Sequence, residues 1–163
     1  AVAIRRLQAD QVIGTAMTVD CDVHQGNGTA FIFLDDPTVF TFSIHQERNY
    51  PAHKPPGDLD VNLEDGAGDE EYLVALDEGL NAAFGKFAPD IIFYIAGADP
   101  YHADQLGGLK LSFDGLMRRD RMVFERARSK STPVAVTLAG GYARHVDDTV
   151  QIHANTARMA KNY

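Results

Sequence analysis

Residues 12–24 of the chain read VIGTAMTVDCDVH. The apolar and β-branched run over residues 12–19 predicts a buried strand that ends at Asp20. Two further polar side chains, Asp22 and His24, follow this strand end directly. Carboxylates and an imidazole beyond the carboxyl end of a buried strand indicate a functional site at the edge of a sheet.

Other segments carry the patterns of strands and helices in alternation. We expect further strands at residues 38–44, 90–96 and 133–139, and a short one around residues 59–63 inside a long loop, 45–68. Amphipathic spacing predicts helices at residues 69–87, 112–130 and 145–161, the first of them capped by Asp69. The apolar runs 90–96 and 133–139 are typical of strands covered on both faces. The pattern as a whole predicts an α/β fold with a mainly parallel sheet flanked by helices.

The composition excludes several classes of protein. The chain has 163 residues, of which 45% are hydrophobic and 23% charged, as expected of one folded domain. Its net charge of −8 would repel a bare phosphate backbone, so we expect no direct nucleic-acid binding. No apolar run reaches the roughly 18 residues that a membrane span requires. The single cysteine, Cys21, cannot form an internal disulfide, which fits a reducing, cytoplasmic compartment.

The first residues of the chain have an unusual pattern. Ala3, Ile4 and Leu7 follow helical spacing, but no capping residue precedes them. The pattern therefore predicts that the sequence begins inside a helix and is a piece of a longer protein. The alternative interpretation is an ordinary processed end.

Three strand ends supply the polar residues of the predicted site. After the strand at 12–19 comes DCDVHQGNGT (residues 20–29), after the strand at 90–96 comes GADP (97–100), and after the last strand comes GGY (140–142). Asp22 and His24 are two residues apart, which directs both side chains to the same side of an extended segment. With Asp99 they provide three ligands, and three protein ligands plus a water form the usual catalytic zinc site.

Two purely structural interpretations of these residues compete with metal binding. The carboxylates can cap helices, and His24 can be a hydrogen-bonded core histidine. The metal interpretation is favoured because the Asp-x-Asp-x-His cluster is joined by a second strand-end aspartate and by Gly-Gly-Tyr. Cys21 faces away from its two aspartate neighbours, so we expect a thiol packed in the core. His45 and His102 are interpreted as loop histidines that follow strand ends.

These motifs resemble the zinc-dependent histone deacetylase family of the arginase/deacetylase fold. The segments that carry the resemblance are DCDVHQGNGT at residues 20–29, AGAD at 96–99, DQLGGL at 104–109 and GGY at 140–142. The Asn-Tyr-Pro loop at 49–51 and the GDEEY segment at 68–72 are most similar to the class IV branch of the family and to bacterial relatives.

The resemblance implies a catalytic role for each matching residue. It implies that Asp22, His24 and Asp99 ligate Zn²⁺ and that Tyr142 donates a hydrogen bond to the substrate carbonyl. Asp20 would orient a catalytic histidine, and Asn27 lies where the family places the partner of a second one. The substrate implied is an acylated lysine of a protein or peptide.

The resemblance also implies a second ion and a substrate channel. The monovalent cation, K⁺ or Na⁺, would be held by Asp20, Asp22 and His24 with the Ser43 hydroxyl and the Ile44 carbonyl. Leu106 and Tyr50 would line the channel for the acyl-lysine side chain.

One departure from the family pattern is large. Family members carry a pair of histidines upstream of the Asp-x-Asp-x-His motif as the general base, and this sequence has no histidine before His24. The resemblance therefore implies that residues 1–163 are the C-terminal portion of a single catalytic domain truncated at its N-terminal side. The partners implied are the missing N-terminal half or, for an isolated chain, a second copy in a homo-oligomer.

Three alternatives to a lysine deacylase are weighed. A two-metal arginase is disfavoured because the positions for its extra carboxylates hold Gly26 and Tyr101. A non-catalytic, metal-binding remnant or assembly half of a deacetylase stays open because the base is absent. An acetylpolyamine deacetylase, acting on an acetylated small amine, stays open because the entrance loops of the site are mostly absent.

Overall fold

The structure is a computed structural model that describes residues 1–163 as five strands and five helices. In chain order they are α1 (Val2–Ala9), β1 (Ala16–Asp20), α2 (Asn27–Ile32), β2 (Val39–Gln46), β3 (Leu59–Leu63), α3 (Asp69–Lys86), β4 (Ile91–Ala96), α4 (Phe113–Ser129), β5 (Val134–Leu138) and α5 (Val146–Ala160). The strands form one sheet in the order β3-β2-β1-β4-β5, and every pair is parallel. The predicted α/β class with a parallel sheet is confirmed.

The strand β1 lies in the middle of this sheet. Its last residue, Asp20, is level with Ser43 of β2 on one side and with Ile95 of β4 on the other. All five residues of β1 are buried. Because the strands are parallel, the segments that follow β1, β4 and β5 leave the sheet at the same edge.

Helices cover the two faces of the sheet unequally. Successive strand residues point to opposite faces, and the main core lies on the face of Met17 and Val19, under α3, α4 and α5. The other face carries a small cluster in which Ile4 of α1 packs against Ala16 and its neighbours. Each large apolar side chain buried in these clusters contributes about 1.5–3 kcal/mol to the free energy of unfolding.

The edge of the sheet beyond β4 is only partly covered. In β4, Ile92, Tyr94 and Ala96 are buried, but the alternate residues are half-buried. In β5 no residue is fully buried, and the side chain of Leu138 is 63% exposed. The prediction that both runs are covered on both faces is therefore wrong for β5 and half right for β4. The physical reason is that β5 is an edge strand and that α1 covers only part of the second face.

The helix α2 has no counterpart in the sequence prediction, and two predicted features need correction. The strand predicted at 12–19 begins only at Ala16, because the backbone N–H groups of Gly14 and Thr15 donate to the Asp90 carboxylate, at 2.7 and 2.8 Å, and not to a neighbouring strand. Asp69 does not cap α3, since Gly68 is the N-cap residue. Its carboxylate instead accepts hydrogen bonds from Ser112 N and Oγ, which ties the start of α3 to the start of α4.

Two further predictions concern membrane spans and the single cysteine. None of the helices combines the length and apolar character that crossing a bilayer would take. Cys21 is fully buried in the main core, as predicted, and burial raises the pKa of its thiol to about 12.

Candidate metal centre

Three side chains predicted as metal ligands meet at the carboxyl edge of the sheet. One ligand atom from each of Asp22, His24 and Asp99 lies within 4.8 Å of the other two. His24 Nδ1 is 2.9 Å from Asp22 Oδ1 and 3.5 Å from Asp99 Oδ2. Two carboxylates and one imidazole nitrogen are donors that Zn²⁺ accepts, and together they neutralise a dication. The donor set and its spacing therefore fit a divalent metal.

Backbone hydrogen bonds orient the two carboxylates. Asp22 Oδ1 accepts from the backbone N–H of His24 at 2.9 Å, and Asp99 Oδ1 accepts from Val23 N–H at 2.8 Å. The N–H of Asp22 in turn donates to Asp20 Oδ1 at 3.0 Å. Short side chains that accept from nearby backbone N–H groups in this way close tight turns. The segment after β1 thus curls so that its ligands face β4 and β5.

Two glycines allow the neighbouring strand ends to approach these carboxylates. A Cβ atom at Gly140 would collide with Asp99 Oδ2 and would lie 2.8 Å from Asp22 Oδ2. The Gly140 N–H donates to Asp22 Oδ2 at 2.9 Å. A Cβ atom at Gly97 would lie 2.7 Å from Asp22 Cα. Only glycine fits at both positions, which explains the Gly residues in the two predicted strand-end motifs.

The two carboxylates favour a protonated imidazole at His24. The hydrogen bond to Asp99, assisted by Asp22, raises the pKa of His24 to about 9 although partial burial opposes this. Burial, together with the negative charge of Asp22, raises the pKa of Asp99 to about 6. A positive imidazolium and a metal cation would therefore compete for the same two carboxylates.

We expect metal affinity to depend on pH. A metal must displace the His24 proton, so below the pKa of about 9 affinity should rise with pH by up to about tenfold per unit. Protonation of Asp99 should make the dependence steeper below about pH 6. Chelator competition with Zn²⁺ between pH 5.5 and 8.5 measures this slope. An affinity that is constant over that range would contradict the assignment of His24.

Asp20 and Ser43 lie side by side on the face of the sheet opposite the main core. Both are buried, and they are directly opposite one another in the β1–β2 register. Burial, with the negative charges of Asp22 and Asp99, raises the pKa of Asp20 to about 8. Ile44 follows Ser43 in β2. The structure thus places two of the five residues predicted to hold a monovalent cation, Asp20 and Ser43, side by side, and the cation site itself stays a prediction.

The interpretation of His45 as a loop histidine is wrong. The strand β2 continues to Gln46, two residues beyond its predicted end, so His45 lies inside the sheet and is fully buried. Its Nδ1 atom is 2.9 Å from Ser43 Oγ, and burial lowers the pKa of its imidazole. His102, in contrast, is exposed in the segment after β4.

One of the residues predicted to contact the substrate lies beside a candidate metal ligand. Tyr50 is exposed, and its ring lies 6.4 Å from the His24 ring in a T-shaped arrangement. Leu106 and Tyr142 are also exposed, the latter by 61%. Asn27, the first residue of α2, is half-buried, and its side chain makes no intramolecular hydrogen bond. The roles of these four residues toward a substrate stay predictions.

Two charged residues hold the loops beside the candidate ligands, and the sequence pattern does not predict this role for either. Lys54 Nζ donates to the backbone carbonyls of Glu47, Asn49 and Pro51 at 2.9, 2.8 and 2.9 Å, which closes the loop that carries Tyr50. Asp104 accepts from the backbone N–H of Leu106 at 2.8 Å and from that of Tyr142 at 2.6 Å. The DQLGGL motif contains Asp104, but spacing alone does not indicate that it joins two loops.

Comparison with known proteins identifies one domain family and several similar proteins. A profile of the histone deacetylase domain matches residues 1–157. An uncharacterised protein of Picosynechococcus sp. is 43% identical over 162 residues, which are 99% of this chain and 54% of that protein. Histone deacetylase 2 of Arabidopsis thaliana is 36% identical over 146 residues, covering 85% of this chain and 38% of that protein.

The fold is shared with solved structures of the same kind. The crystal structure of a histone deacetylase homologue from Aquifex aeolicus matches with a TM-score of 0.83 at 24% identity, covering 98% of this chain and 45% of that one. The chain therefore spans about half the length of the Picosynechococcus protein and less than half of the other two. The family resemblance of its motifs is confirmed: the chain belongs to the histone deacetylase family and has its arginase/deacetylase fold.

Proposed function

We propose that the chain supplies the metal centre of a zinc-dependent amidohydrolase that removes acyl groups from lysine side chains. The observation that carries this proposal is the convergence of Asp22, His24 and Asp99 at the carboxyl edge of the sheet, in a member of a deacetylase family. These three residues would hold Zn²⁺. The metal, when bound, polarises the amide carbonyl as a Lewis acid and acidifies the attacking water.

The chain's own residues would complete the reaction in distinct roles. The Tyr142 hydroxyl donates a hydrogen bond to the carbonyl oxygen as negative charge develops on it. Asp20 accepts a hydrogen bond from the imidazole that takes the proton of the water, and Asn27 orients the imidazole that protonates the leaving lysine amine. The exposed side chains of Tyr50 and Leu106 line the approach of the acyl-lysine. No covalent acyl-enzyme forms, because the nucleophile is water.

We propose that the general base comes from outside this sequence. We propose that the rest of the catalytic domain, which these relatives have and this chain does not span, packs beside β5 and supplies the histidines. Support comes from the open edge of β5 and from exposed apolar side chains of β5 and of the helix that follows it, Leu138, Val146 and Val150. Unpaired strand edges bind further strands readily.

A monovalent cation and a cytoplasmic location belong to the same proposal. K⁺ or Na⁺ would bind Asp20, Asp22 and His24 with the Ser43 hydroxyl and the Ile44 carbonyl, which is supported by the adjacency of the buried Asp20 and Ser43. The cation would offset the cost of burying the Asp20 carboxylate. The single, buried cysteine fits a reducing compartment.

The proposed function is tested on a chimera in which residues 1–163 replace the aligned segment of the Picosynechococcus protein. Single-turnover assays would compare an acetyl-lysine peptide, an octanoyl-lysine peptide and acetylspermidine. We expect zinc-dependent hydrolysis of an acyl-lysine peptide. Preference for acetylspermidine would replace this substrate class by polyamines, and no hydrolysis of any substrate would contradict the proposed function.

Replacing a carboxylate ligand should remove the metal while the fold is kept. We expect Asp22→Ala and Asp99→Ala to lose Zn²⁺, because each leaves only two protein ligands. Metal analysis after gel filtration measures this, with circular dichroism as the check on folding. Asp10→Ala is the matched control, since Asp10 is an exposed carboxylate paired with Arg6 at 2.7 Å. Retention of zinc by both ligand variants would show that the assignment is wrong.

A further inference from the structure

A charged side chain lies in the core directly beneath the metal centre. Arg119 of α4 is fully buried, with 0% of its surface exposed. Its Nε and Nη2 atoms donate to Asp120 Oδ1 at 2.9 and 2.8 Å. Its Nη1 atom donates to the Gly97 carbonyl at 2.5 Å and lies 3.5 Å from the Cys21 carbonyl.

Asp120 is itself held from two other elements. Tyr94 of β4 donates to Asp120 Oδ1 at 2.5 Å, and Thr156 of α5 donates to Oδ2 at 2.5 Å. The guanidinium is therefore neutralised and oriented within a fully hydrogen-bonded cluster. A buried ion pair of this kind is weak evidence for stability, because well-packed apolar side chains often stabilise a core equally well. Its presence here calls for a role beyond stability.

The two carbonyls beside Arg119 belong to the strand ends that carry metal ligands. The Cys21 carbonyl is part of the peptide bond that leads into Asp22, and Gly97 precedes Asp99 by two residues. The hydrogen bond from Cys21 N to the Ile95 carbonyl, at 3.0 Å, is the last of the β1–β4 ladder. Beyond it the two segments still touch, since a Cβ atom at Gly97 would lie 2.7 Å from Asp22 Cα. The Arg119 guanidinium contacts both segments at this point, through the Cys21 and Gly97 carbonyls.

We infer that Arg119 is a positioning residue for the metal centre. Its planar fork fixes the end of β4 against the end of β1 and thereby sets the separation of the Asp22 and Asp99 carboxylates. Asp120 cancels its charge, so the cation beneath the centre does not repel a bound metal. This inference rests on the proposed metal centre formed by Asp22, His24 and Asp99.

The inference predicts that two Arg119 variants bind metal weakly. Arg119→Lys keeps a buried cation, but one ammonium cannot bond Asp120 twice and reach Gly97 as well. Arg119→Met combined with Asp120→Asn removes both charges and leaves an amide for Tyr94 and Thr156 to bond. We expect each to bind Co²⁺ about 10- to 100-fold more weakly, the range seen when outer partners of metal ligands are removed. The visible absorption bands of the bound Co²⁺ should shift, because they report ligand geometry.

Two further variants separate positioning from stability. Asp120→Asn alone keeps Arg119 and its bond to Gly97 but leaves the guanidinium charge uncancelled, so we expect a lower melting temperature and a weaker Co²⁺ affinity with absorption bands close to parental. Arg118→Met is the matched surface control on α4, because Arg118 is partly exposed and pairs with Glu70 at 2.9 Å. Arg118→Met should change neither the Co²⁺ affinity nor the absorption bands.

Each alternative result contradicts a specific statement. Parental Co²⁺ affinity and absorption in Arg119→Lys and in the double variant would overturn the inference. A shift of the absorption bands in Asp120→Asn as large as in the double variant would also overturn it, since the ligand geometry would then follow stability and not the bond from Arg119 to Gly97. If the parental chain binds no Co²⁺, the proposed metal centre is overturned and this inference with it.

Discussion

Residues 1–163 alone should hydrolyse an acetyl-lysine peptide about 100- to 10,000-fold more slowly than the chimera described above. That range is the usual contribution of a positioned general acid or base. The chain has no histidine before His24, and Asp20 accepts a hydrogen bond from Asp22 N–H but from no imidazole. Of the later histidines, His45 is enclosed in β2, and the others lie on loops or on α5. The site therefore has three candidate metal ligands and a phenol but no imidazole bonded to Asp20.

The measurement compares initial rates of the two proteins at equal zinc occupancy. The chimera carrying Asp22→Ala provides the background rate without the metal centre. Solution mass should be recorded in the same samples, because the open edge of β5 favours self-association of the isolated chain. A monomeric chain of 163 residues with the rate of the chimera would show that it is a complete small enzyme and that the base was assigned to the wrong place.

The sequence predicts the centre of the fold well because local patterns determine it. The strand around residues 16–19 is recognisable from its β-branched run, and α3 and α4 from their apolar periodicity. The polar residues after β1, β4 and β5 are predicted to meet because parallel strands deliver their carboxyl ends to one edge. This argument requires only that the strands are parallel and belong to one sheet, which the alternation of strands and helices along the sequence predicts.

Features that depend on distant contacts are not predictable in this way. Arg119 lies in a helix with many charged residues, and nothing local distinguishes its buried guanidinium from that of the neighbouring Arg118. Its partner carbonyl, Gly97, is 22 residues away and contributes only backbone atoms.

The error at His45 has a simpler cause. A strand boundary shifted by two residues moved that histidine from the sheet to a loop.

The replacement of Tyr142 by phenylalanine removes a single hydroxyl group. Tyr142 is exposed, but its backbone is fixed, because its N–H donates to Asp104 and its carbonyl accepts from Gln105 N at 3.1 Å. The phenol thus extends from an anchored position beside Gly140, whose N–H holds Asp22. Loss of the hydroxyl should leave this backbone, and with it the metal centre, unchanged.

In the chimera, Tyr142→Phe should lower kcat by about 100- to 1000-fold, the usual effect of removing one donor to a developing oxyanion. KM should change little, because the hydrogen bond strengthens only as the carbonyl oxygen gains charge. Steady-state kinetics and zinc content are measured together. Tyr163→Phe is the matched control, since Tyr163 is also exposed but stacks on Phe124 and bonds Glu125, away from the three candidate metal ligands. Parental kcat in Tyr142→Phe would remove this phenol from the mechanism, and loss of zinc would show that it supports the metal centre instead.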